Sequence, residues 1–79
     1  MLERGRVVVS LRGRDRGYLL AVLRAEGNTV FLADGRERPI DRPKAKNIRH
    51  IEATSYVLGE EAFTSDRHLR RALNGLQMN

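Results

Sequence analysis

Apolar residues up to Ile48 come in short runs, and each stretch between two runs contains a glycine, proline or asparagine. Segments of that length are the usual size of β-strands, about five or six residues, and are too short for most helices. Residues 5–11 set Val7, Val9 and Leu11 on one face at period two, with Arg6, Val8, Ser10 and Arg12 on the other, as a half-buried strand requires. Residues 18–23 are apolar throughout, a pattern that periodicity does not separate from a buried helix, but their shortness and flanking glycines favour a strand. Gly27 and Asn28 tolerate positive φ and permit a tight reversal into a third strand over residues 29–33. Asp34 and Gly35 are the strongest hairpin signal in the chain, because a type I′ turn needs positive φ at both central residues. A short fourth strand is expected over residues 37–40, held to an edge by Pro39, which has no N–H. Residues 41–47 read as a loop and residues 48–54 as a fifth strand, with Ile51 and Ala53 on one face. The expectation is a mainly β fold, a small five-stranded barrel.

Beyond Thr54 the period changes. Leu69, Ala72, Leu73 and Leu76 fall on one stripe, with Arg67, Arg70, Arg71 and Asn74 opposite, which predicts a short amphipathic C-terminal α-helix. Thr64 or Ser65 can cap it, Asp66 suits the positive end of its dipole, and Gly75 suits the position just after its end. The chain thus divides into a barrel over residues 1–54 and a helical extension over residues 55–79, packed on the barrel or trailing from it.

With 79 residues the chain holds one domain, which buries only about 60 to 65 per cent of the surface its unfolded form exposes. There is no cysteine to supplement that core with a disulfide or a thiolate zinc site. No apolar run is long enough to span a membrane, and Met1, Leu2, Glu3, Arg4 do not open a signal peptide, so the expected location is the cytoplasm.

Charge is where the sequence becomes specific. Up to Thr54 there are 12 basic and 7 acidic residues, and after it three of each, so the whole surplus of +5 belongs to the barrel. That placement favours a polyanionic partner, nucleic acid above all. Arg12, Gly13, Arg14, Asp15, Arg16, Gly17 and Tyr18 form a glycine-bracketed turn between two apolar strands. Its guanidinium groups, together with amides that the sheet leaves unpaired, complement phosphates, and Tyr18 can stack on an unpaired base; the competing reading is an ordinary hairpin tip solvated by its arginines, with Asp15 paired to a neighbour and Tyr18 half core. Arg42, Lys44, Lys46 and Arg49 form a second basic group, with His50 as an adjunct; these either contact phosphate or, for Lys44 and Lys46, protect a sheet edge from aggregation. If both groups share one rim they make a continuous phosphate track. Arg67, Arg70 and Arg71 read first as a solvated helix face. The two histidines, His50 and His68, have no cysteine or spaced carboxylates beside them, and no nucleophile motif, P-loop or dinucleotide fingerprint occurs. The expected protein is therefore not an enzyme and uses no metal or cofactor.

Residues 5–33 resemble the KOW motif, a strand, glycine-containing loop and strand found in ribosomal proteins and transcription elongation factors, with Gly17 at its characteristic glycine. Adding Leu32, Ala33, Asp34, Gly35, then Pro43, Lys44 and Lys46 to His50, the pattern resembles small bacterial KOW-domain RNA-binding proteins related to the L14e type of large-subunit ribosomal protein. The resemblance covers about residues 5–54. It implies an SH3-like five-stranded barrel and binding to RNA, most often ribosomal RNA, with ribosomal proteins as further neighbours. The competing expectation is a protein-interaction adaptor that uses a barrel groove or the stripe of the C-terminal helix. Oligomeric state is left open.

Overall fold

The computed structural model describes residues 2–77. Five strands form: β1 (Arg6–Ser10), β2 (Leu19–Glu26), β3 (Thr29–Ala33), β4 (Lys44–Asn47) and β5 (Ile51–Val57). They make one antiparallel sheet in the order β4-β3-β2-β1-β5, followed by a single α-helix, α1 (Asp66–Gln77). The fold is mainly β, as expected, with a strand count of five.

Both faces of the central strands are buried. Val8, Leu20, Val22, Val30, Leu32 and Ile51 form one cluster, flanked only by Leu2 and Ile48. Among the described residues no other layer covers this cluster, yet its valines and leucines are fully buried, so the sheet curls around them into a barrel-like shape. Val7, Ala21, Leu23 and Ala33 form the opposite cluster and meet Leu69 and Leu73 of α1. This corrects the half-buried reading of β1: Val7 and Val8 are both in the core, while Leu11, placed on the inner face by period two, is 41% exposed. It also explains the unbroken apolar run of β2, whose side chains alternate between two cores.

The segment after β3 departs most from expectation. Only Gly35 takes positive φ, so Asp34 and Gly35 are not a type I′ pair, and residues 37–40 form no strand. Instead the Asp34 carboxylate accepts the amides of Arg36 at 2.8 Å and Arg38 at 3.0 Å, closing a polar loop. The Ile40 amide then donates to Asp66 at 2.8 Å, and the Ile40 side chain joins the helix-side core. This stretch is drawn to α1 and away from the sheet. β4 follows within residues read as loop, pairing Lys44 with Leu32 and Lys46 with Val30.

Residues 48–50, expected at the start of the last strand, form a 3-10 turn, and β5 starts at Ile51 and runs past Thr54 to Val57. Ala53 shares the face of Ile51, as expected, since the register pairs Ile51 with Ser10 and Ala53 with Val8, but it is exposed. A bulge separates the Arg6–Val57 and Val8–Ala53 pairs, and the Thr54 hydroxyl fills it by donating to the Val7 carbonyl at 2.7 Å. Ser65 caps α1 by accepting the His68 amide at 3.1 Å. Gly75 lies inside the helix and not after its end. Because Leu69 and Leu73 are core residues, the helix completes the domain and does not trail from it.

Candidate nucleic-acid interface

The β1–β2 connection continues its hairpin before it turns. Ser10 N–H donates to the Tyr18 carbonyl at 3.0 Å, and Gly17 N–H to the Ser10 carbonyl at 2.8 Å. Within the tip, Arg16 N–H reaches Gly13 O at 3.2 Å and Tyr18 N–H reaches Asp15 O at 2.9 Å. The amides of Arg16, Gly17 and Tyr18 are therefore engaged, against the expectation of a free amide row. Among the described residues, the amides of Arg12, Gly13, Arg14 and Asp15 donate to no protein group.

A buried ion pair sets the shape of this loop. Lys46 Nζ, reaching across from β4, donates to Ser10 Oγ at 3.0 Å, to the Arg12 carbonyl at 2.8 Å and to Asp15 Oδ1 at 3.1 Å. An ammonium has three N–H donors and all three are used. Ser10 Oγ also lies 2.7 Å from Asp15 Oδ1, so the carboxylate is held on two sides while its Oδ2 is buried with no partner. Burial alone would raise the Asp15 pKa, but the hydrogen bonds from Ser10 and Lys46, with the charges of Lys46 and Lys44, hold it below the ordinary value of 3.8.

This overturns the expected role of Lys46. At 9% exposure and fully hydrogen-bonded, it is the anchor of the basic loop and cannot also grip a phosphate on the surface. The cations it presents are different ones. Arg12, Arg14 and Arg16 are exposed, and among the described residues none pairs with a carboxylate. Three other arginines are occupied: Arg4 with Glu60 and over Phe63, Arg6 with Glu3, and Arg24 with Glu26 and over Phe31. The loop is thus a place where unpaired guanidinium groups are concentrated on a fixed backbone.

The second basic group is brought to this rim in part. Leu11 N–H donates to the His50 carbonyl at 2.8 Å, which seats the 3-10 turn carrying exposed Arg49 against the base of the loop. Lys44 stands two residues before Lys46 on β4, near enough for its charge to act on Asp15. Arg42 is not brought in: it ends a turn closed by its own amide on Pro39 O, in the segment that Ile40 ties to α1. Gly13 and Gly17 both take positive φ, at 87° and 86°, and shape the tip. Tyr18 is 54% exposed and belongs to neither hydrophobic cluster.

Sequence reasoning allowed Asp15 a neighbouring partner but missed Ser10 and the distant Lys46, the contacts that make Lys46 structural. The available signal was a small polar residue at the buried end of an apolar strand, with an acid in the basic turn that follows. It also missed a cleft of about 220 Å³ where Tyr18 and Leu19 face Arg36, Glu37 and the helix residues Arg70 and Asn74. Among the described residues no group of histidines and carboxylates could hold a metal ion, and no helix is long and apolar enough to cross a membrane. Compared with known proteins, the chain matches no family model and no curated protein.

Proposed function

We propose that this protein is a non-catalytic RNA-binding module that grips backbone phosphates through the β1–β2 loop, in the setting of ribosomal RNA or the ribosome. The observation that carries the reading is three exposed, unpaired arginines within five residues of a loop that a buried Lys46 holds from below. A guanidinium presents five N–H donors in a planar fork, suited to phosphate oxygens, and a fixed loop reduces the ordering that binding requires. Arg49 and Lys44 extend the same rim. The ribosomal setting rests on the KOW-type resemblance alone.

The alternative is a protein-interaction adaptor. Its expected interface on the helix stripe is taken, since Leu69 and Leu73 are buried against the sheet. It draws instead on β5, an edge strand with Tyr56 43% and Val57 50% exposed. Salt titration separates the two. If Arg12, Arg14 and Arg16 each neutralise one phosphate, RNA affinity falls about 20-fold for a single strand and about 40-fold for a duplex between 50 and 200 mM salt. RNA binding that ignores salt, or no RNA binding at 50 mM, would reject the phosphate reading.

A further inference from the structure

We infer that the cleft beside Tyr18 is a second, base-reading subsite, which takes one unpaired nucleobase and prefers guanine. The inference rests on the RNA-binding reading of the loop and adds to it what phosphate contacts cannot give, a sequence preference.

Tyr18 belongs to both places. It is the last residue of the basic turn and one wall of the cleft, so loop and cleft adjoin and one strand can reach both. The ring is exposed without being required by the core, and stacking on such a ring is how single-stranded bases are commonly held. Behind it, Leu19 and buried Leu73 give the cleft an apolar base. About 220 Å³ lies below the roughly 300–1,000 Å³ of pockets that enclose drug-sized ligands, and suits one flat ring system.

The polar lining argues for a base and against a phosphate. Asp34 and Glu37 line the cleft alongside Arg36 and Arg70, so the lining carries no net positive charge and, unlike the loop, holds no surplus for a phosphate. Asp34 is engaged with the amides of Arg36 and Arg38, whereas Glu37 is exposed and among the described residues has no partner. An ionised carboxylate only accepts hydrogen bonds. Guanine is the base whose pairing edge offers two adjacent donors, the N1 imino and N2 amino groups, whereas adenine, cytosine and uracil each set a donor beside acceptors. Arg70, which uses one N–H on the Gly35 carbonyl, and Asn74 supply donors for guanine O6. Glu37 is thus assigned as the reader and Tyr18 as the platform.

The test uses the full chain and fluorescence anisotropy with labelled uridine octamers carrying one central guanosine, inosine or adenosine. The guanosine octamer is expected to bind about tenfold more tightly than the adenosine one, with inosine, which lacks the N2 amino group, between them. Tyr18→Ala should lower affinity for the guanosine octamer about tenfold, and Tyr18→Phe should retain it. Glu37→Gln should abolish most of the guanosine-over-adenosine preference, and none of these changes should alter the salt slope. Urea unfolding of each variant checks that the fold is intact. Salt-dependent binding with no base preference, or a preference that survives both Tyr18→Ala and Glu37→Gln, overturns the cleft while the loop reading stands; a cleft built for a protein segment gives the first of these results. Failure of every octamer to bind at 50 mM salt overturns both.

Discussion

Lys46 Nζ lies 3.1 Å from Asp15 Oδ1, so an edge strand and the basic loop are joined by an ion pair whose side chains are only 7% and 12% exposed. The pair reconciles two features that otherwise conflict. A loop rich in arginine is self-repelling and prone to disorder, yet this one is fixed, because its only acid turns inward onto a cation supplied by a different strand. The arginines are left pointing to solvent by the same geometry.

Removing the cation should therefore cost more than a surface charge does. Lys46→Met leaves a buried carboxylate with Ser10 as its remaining hydrogen-bond donor, and breaking a buried pair in this way costs about 3 kcal/mol or more. Urea unfolding is expected to show that loss, and Lys46→Met combined with Asp15→Asn should recover much of it because no uncompensated charge remains. A single variant as stable as the parent would show that the pair carries no structural weight.

The same pair predicts acid sensitivity. The folded Asp15 pKa is depressed, so its contribution is fully present above the unfolded value near 3.8 and is lost as pH falls through the lower folded value. Glu3, held at about 2 by its hydrogen bonds from Arg6, titrates in an overlapping window, but it is solvent-exposed and its effect is screened by salt. Stability measured from pH 6 down to pH 2 in high salt should thus fall less steeply below about pH 4 for Asp15→Asn than for the parent. Equal slopes would remove Asp15 as the source.

The arginines should behave in the opposite way to Lys46. Arg14→Ala combined with Arg16→Ala is expected to change stability by no more than about 0.5 kcal/mol, since both are exposed and unpaired. The same variant should weaken RNA binding across sequences and flatten the logarithmic salt slope by about two. Anisotropy at several salt concentrations reads both effects, and an unchanged slope would move the phosphate site off this loop.

How much of this could be read from the sequence depended on whether local pattern or distant contacts decided the outcome. β3 and the stripe of α1 follow their own periodicity, and their residues stand where the pattern puts them. β4 was hidden because its inward position is a lysine: Lys46 looks like a loop or edge residue until Ser10 and Asp15, more than 30 positions away, are seen to accept it. β1 was misread on one face because period two reports a half-buried strand, whereas a curled sheet with a helix behind it buries both sides. For residues 37–40 a two-residue turn signal predicts a strand, but the deciding contacts lie on α1, which no local window includes. For the candidate site, the cluster of Arg12, Arg14 and Arg16 was legible as charge density, but the division of labour between anchor and contact residues was not.

Two glycines give the sharpest contrast between resemblance and packing. Gly17 is the residue on which the KOW-like pattern turns, yet a Cβ there would meet nothing within 4 Å, and its φ of 86° is the only constraint. Gly35, at φ 77°, faces the first turn of α1, where a Cβ would run into the Asp66 carbonyl and lie 2.9 Å from the Arg70 amide. Gly17→Ala should cost only the strain of a left-handed backbone, about 1 kcal/mol, and Gly17→Asn less, because asparagine tolerates that conformation. Gly35→Ala adds displacement of the helix to the same strain and should cost about 3 kcal/mol or more. It should also loosen the Arg70 bond to the Gly35 carbonyl and with it the cleft beside Tyr18. Urea unfolding of the three variants ranks them directly; a larger loss at Gly17 than at Gly35 would mean that the loop, and not the seat of the helix, sets the stability of this fold.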